Sequence, residues 1–181
     1  MELPKIFDHP YELGILARRA NFRAPYVSLK GYPEIQSKIS RVVEKMPARY
    51  SVGICDSSGN KGRRWRLSEE AVGRFAGLGL SGGWADVREV DKGLAGELDF
   101  WLGVLAVNNA RGKFLDPVRL GASFGVCLQF MEFMRGIHPA FRANPIRGEG
   151  GHYALIQGKS WGHLLACVHA KEKELGKITE S

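Results

Sequence analysis

The stretch Asp116 to Ile137, DPVRLGASFGVCLQFMEFMRGI, constrains the fold more than any other. Asp116 is suited to cap free N–H groups, and Pro117 follows at the first helical position, where it forfeits no hydrogen bond. Leu120, Phe124, Cys127, Leu128, Met131 and Met134 recur at helical spacing, and Val118, Phe130, Phe133 and Ile137 widen the stripe until little polar surface is left. Such a helix is buried on most sides, so it is expected to be the central helix around which the rest packs. Its GxxxG pair, Gly121 and Gly125, predicts a neighbouring helix approaching closely in a soluble core.

A chain of 181 residues, 44% hydrophobic and 25% charged, is long enough for one solid core and short for two. The 23 glycines form no repeat and read as turns and close helix contacts. Cys55, Cys127 and Cys167 are far apart and lack any CxxC pair, which predicts reduced thiols and a cytoplasmic setting. The opening MELPKIFDHP has no apolar h-region, so no secretory signal is expected. Phe100 to Val107, the longest apolar run, falls far short of the roughly 20 residues that span a bilayer, so no membrane is expected as partner.

Charge becomes informative once it is located. Residues 1 to 67 hold 13 Lys and Arg against 6 Asp and Glu, and the rest of the chain holds 13 of each. The whole surplus of +7 therefore lies in the first third, where a polyanionic partner would be met.

Along the chain, Pro10 begins a short helix reaching about Phe22, with Arg18, Arg19 and Arg23 at its end, and Tyr26 to Leu29 is a candidate strand. A second helix follows from Pro33 to Pro47, with Ile35, Ile39, Val42, Val43 and Met46 inward and Lys38, Arg41 and Lys45 elsewhere. Tyr50 to Leu67 is the clearest hairpin. Tyr50, Val52 and Ile54 alternate on one strand and Trp65 and Leu67 on the other, around the turn-forming DSSGNKG. Pairing those apolar faces puts Arg64 and Arg66 on the opposite side beside Ser51 and Gly53, with Lys61 and Arg63 at the tip. Ser68 caps the next helix. From Asp86 to about Ala110 the spacing of Val87, Val90, Leu94, Leu98, Trp101 and Leu105 predicts one amphipathic helix, antiparallel to the central one. HPAFRANPIRGEGGH reads as a loop, Tyr153 to Gln157 as a candidate strand, and Ser160 onward as a last helix.

Phosphate binding needs long cations held together on a rigid support, and alternate strand positions supply that for Arg64 and Arg66. The bland counterpart is a solvated outer strand whose arginines block edge-to-edge aggregation. The candidate nucleic-acid contacts are Arg18, Arg19, Arg23, Lys38, Arg41, Lys45, Lys61, Arg63, Arg64 and Arg66. Trp65, in phase with Leu67, reads as a core anchor. His163 and Cys167 share a helix face, but a pair lacks the further ligands that zinc wants, so no metal is expected. RGEGGH matches neither GxxxxGK[ST] nor GxGxxG, and no cofactor is expected. No carboxylate cluster accompanies His138, His152 or His163, which leaves a phosphodiesterase as the third reading and no catalytic residue assigned.

The expected fold is α+β, a mostly helical single domain with a small antiparallel sheet built on the 50–67 hairpin. Residues 1–67 form its basic part and 68–181 its helical body. The expected function is a non-catalytic nucleic-acid-binding accessory protein, DNA or RNA unresolved. The alternative is an assembly subunit that docks other protein subunits through its helical half.

Overall fold

The computed structural model describes residues 9–56, 62–108, 120–141, 143–148, 151–156 and 158–179. Helix α1 (Pro10–Arg19) starts at a proline and ends where the chain turns extended at Ala20. Strands β1 (Ala20–Asn21) and β2 (Tyr26–Ser28) follow, then α2 (Pro33–Glu44), which buries Ile35, Ile39, Val42 and Val43 as its spacing predicts. A 3-10 turn at Ala48–Tyr50 leads into β3 (Ser51–Asp56) and β4 (Arg63–Leu67), and Ser68 caps α3 (Glu69–Ala76) by accepting a hydrogen bond from the Ala71 N–H. Beyond lie α4 (Lys92–Ala95), α5 (Leu98–Ala106), α6 (Phe124–Ile137), β5 (Ala143–Gly148), β6 (Gly151–Ile156) and α7 (Gly158–Thr179). Among the described residues, seven helices and a four-stranded antiparallel sheet make this a mostly helical α+β fold.

The sheet runs β1-β2-β4-β3, so the predicted hairpin is joined by the strand at Tyr26 as expected. The other candidate strand does not join it. Residues 151–156 pair instead with 143–148 in a separate two-stranded sheet, and the segment read as a loop contains β5.

Two predicted helices need correction. No single helix runs from Asp86 to Ala110. Residues 87–91 are irregular, Asp91 caps the one-turn α4, and Gly96 closes it before α5 begins. The stripe is nonetheless inward, with Val87, Val90, Leu94, Trp101 and Leu105 buried. Irregular backbone at Val90 survives because the Gln129 side chain replaces a partner strand: its amide accepts from the Val90 N–H at 2.9 Å and donates to the Val90 carbonyl at 2.8 Å.

The second correction concerns the centre. Asp116 and Pro117 lie outside the described residues, but Leu120 to Ser123 are not helical, and α6 starts one residue after Ser123, whose hydroxyl accepts from the Val126 N–H. Phe124 and Ile137, at its two ends, are half exposed. Among the described residues the most buried helix is α5, with Phe100 to Leu105 all inside. It packs chiefly on α1, in the same direction: His9 meets Asp99 near their starts, and Arg18 reaches Asn108 at their ends. The close approach expected at Gly121 and Gly125 occurs between α1 and α5. A Cβ on Gly14 would overlap the Phe100 carbonyl, and one on Gly103 the Tyr11 carbonyl. Gly121 lies outside α6 at a φ of 58°, and Gly125 faces the Arg88 carbonyl.

Candidate nucleic-acid interface

In strand register Val27, Trp65 and Ile54 share one side of the sheet, and Ser28, Arg64 and Cys55 the other. Leu67 and Val27 are buried on the first side, which faces the core. Tyr26, Arg66 and Gly53 therefore share the outer side with Ser28, Arg64 and Cys55.

A register shift between Ser51 and Gly53 breaks the alternation expected for β3. Gly53 absorbs it at a φ of 113°, a conformation that side chains disfavour. Ser51 consequently turns to the core side, where its hydroxyl accepts from the Trp65 indole N–H at 2.7 Å. Gly53 does lie opposite Arg66, as expected. Val52 and Ile54, expected to face inward, are 61% and 51% exposed on the edge strand. Trp65 packs partly buried against the core and is an anchor as predicted.

The Arg64 guanidinium carbon lies 4.0 Å from the centroid of the Tyr26 ring. A guanidinium drawn to a ring face in this way is held in place before any ligand arrives, and keeps its N–H donors. Arg66 is exposed on the same side, above Gly53, where no Cβ stands in its way. Tyr26 was not among the residues singled out from the sequence. The alternation Tyr-Val-Ser puts it outward, but its place beside Arg64 follows only from β2 pairing with β4.

The other predicted contacts divide. Arg63 is exposed at the start of β4, and Lys61 lies outside the described residues. Arg23 is exposed and lines a cleft with Arg88, Asp86 and Glu89, while Arg41 is exposed on α2 in a groove shared with Glu34 and Glu44. Lys38 is ion-paired with Glu172 of α7 at 2.6 Å, and Lys45 with Glu12 at 3.3 Å. Arg18 and Arg19 are partly buried and bonded within the chain. Arg18 donates through Nε and Nη2 to Asn108 Oδ1 at 3.3 and 3.1 Å, and Arg19 donates to the Lys30 carbonyl. Burial pushes Arg18 down to about 10, with the neighbouring Arg19 charge adding to the effect, and burial lowers Arg19 also. The structure thus brings Arg64, Arg66 and Tyr26 together and engages Arg18, Arg19, Lys38 and Lys45 elsewhere, while Arg41 stays exposed on α2.

Of the histidines, His138 and His163 have ring centroids 5.1 Å apart, and Cys167 Sγ lies 3.9 Å from His163 Nε2. Among the described residues no group of three or more His, Cys, Asp or Glu is arranged to hold a metal ion. The side chain of His152 lies outside the described residues, as do those of Arg147 and Lys159. Among the described residues no helix is long and apolar enough to cross a membrane. In comparisons with known proteins, the chain matches no family model, no curated protein and no solved structure.

Proposed function

We propose that this protein binds nucleic acid through the outer face of its four-stranded sheet, without catalysis. The observation that carries the reading is the Arg64 guanidinium stacked on Tyr26, with exposed Arg66 on the same side over Gly53. Such a pair offers charge-assisted donors to phosphate oxygens. An arginine plane beside an aromatic ring also suits an unstacked base, while Gly53, Ser28 and Cys55 leave room for a bulky ligand to settle. The charge surplus of the first third acts in the same sense, drawing a polyanion toward this part of the molecule.

The test is fluorescence anisotropy with labelled single-stranded DNA, duplex DNA and RNA. An Arg64→Ala/Arg66→Ala double variant that melts like the parent loses affinity by roughly tenfold or more for the probe that binds best. Equal binding by parent and variant, or binding of no probe, contradicts the reading.

A second reading, an assembly subunit, is favoured by exposed apolar side chains. Val52 and Ile54 lie on edge strand β3, and Phe124 and Ile137 at the ends of α6. Light scattering that finds an oligomer indifferent to the arginine changes would favour it.

A further inference from the structure

The buried end of α1 poses a question that the sheet face does not answer. Arg18 is largely withdrawn from water, yet its hydrogen bonds go to a neutral amide oxygen, Asn108 Oδ1, and no carboxylate among the described residues forms an ion pair with it. The amide nitrogen of the same Asn108 is buried without an acceptor, and so is Nε of Arg19. Around Arg18, one accepting amide oxygen meets the guanidinium, and the amide nitrogen beside it has no acceptor. Withdrawn charges are normally paired, and buried donors are normally satisfied, because each exception costs free energy. Rotating the amide does not cure the imbalance: it would aim N–H groups at the guanidinium.

What would cure it is a group with acceptors only and more than one negative charge. We propose that the corner formed by Arg18 and Asn108, beside Gly121, binds a phosphate-type oxyanion, at a place separate from the sheet face. The Arg18 fork keeps N–H donors that Asn108 does not use, and a fork of that geometry matches two phosphate oxygens at once. Asn108 supplies a further donor from its amide nitrogen. Gly121 adds no side chain of its own over the guanidinium: a Cβ there would stand 3.6 Å from Arg18 Nη2. Arg19, next along the helix, makes the local charge +2, which favours a phosphate dianion over a carboxylate monoanion.

Asn108→Asp tests this directly, because it keeps the acceptor for Arg18 while building in the missing negative charge. In thermal melting, about 50 mM inorganic phosphate raises the parent's Tm by roughly 5–10 °C over potassium chloride of equal ionic strength, as expected for a millimolar site. Asn108→Asp melts higher than the parent without phosphate and gains nothing from it. NMR supplies a readout that needs no variant: during phosphate titration the Asn108 side-chain amide and Arg18 Nε–H resonances shift first. Adenosine monophosphate, and an oligonucleotide with and without a 5′-phosphate, separate the sources. A response confined to the small molecules assigns the corner to free phosphate or a phosphomonoester. A 5′-phosphate that tightens oligonucleotide binding, with the gain lost in Asn108→Asp, assigns it to a nucleic-acid end. Phosphate acting no better than chloride, an undiminished phosphate response in Asn108→Asp, or no shift of those two resonances overturns the proposal. Arg64→Ala/Arg66→Ala keeps the phosphate response in full, so this site and the sheet face stand or fall apart.

Discussion

The Arg64 guanidinium lies 4.0 Å above the ring of Tyr26, on a neighbouring strand and on the side of the sheet away from the core. The stack ties the position of a charge to the identity of its neighbour. Tyr26→Phe keeps the ring and is expected to bind oligonucleotide like the parent. Tyr26→Ala releases the guanidinium and is expected to weaken binding by about tenfold, with a stability cost of only about 0.5–1 kcal/mol, since the pair is partly open to water. Anisotropy titration and melting of the two variants side by side separate these effects.

Gly14 and Gly103 hold α1 and α5 at a distance where neither tolerates a methyl group. Gly14→Ala or Gly103→Ala must push backbone off backbone, because the obstructing atoms are carbonyl oxygens and not flexible side-chain ends. Each change is expected to cost roughly 3 kcal/mol, against the small gain that alanine usually brings to a helix. Urea denaturation reads this as a lower midpoint.

Gln129 stands in for a strand beside Val90, satisfying both of its backbone groups. Gln129→Leu leaves a donor and an acceptor with no protein partner and is expected to destabilise by about 2 kcal/mol. Gln129→Glu retains the acceptor and loses the donor, and is expected to fall between the two in a melting series at neutral pH.

Cys127 is fully buried, and burial pushes its thiol up to about 11. At pH 8 only about one molecule in a thousand then carries the thiolate, the form that reacts. Alkylation of the folded protein followed by mass spectrometry is expected to label Cys55 and Cys167, which are half-buried, and to reach Cys127 only in denaturant.

Local signals carried much of the architecture. Ser68 as a cap, Pro33 as a helix start, and the turn-rich hairpin between Tyr50 and Leu67 each act within a few residues, so they are readable along the chain. The misreadings arise where a distant partner decides. A helical stripe from Val87 to Leu105 is equally well buried by an irregular segment once Gln129 satisfies Val90, and periodicity cannot tell the two apart. Ser51 changed sides because Gly53 admits a bulge that alternation does not reveal. For the candidate site, the cations on alternate positions of β4 were visible, but the fate of the helix cations was not. Lys38 is paired with Glu172, and Arg18 with the Asn108 amide and with no acid among the described residues, facts set by how α2, α7 and α5 pack.

The salt dependence of oligonucleotide binding tests the central claim most directly. Each phosphate contact contributes a slope of about −0.7 for single strands and about −0.9 for duplexes in a plot of log affinity against log salt. With Arg64 and Arg66 each meeting one phosphate, the parent is predicted to show a slope of about −1.4 or steeper, and Arg64→Ala/Arg66→Ala a slope shallower by about 1.4. An affinity that ignores salt, or a slope that survives the loss of both arginines, would contradict the account.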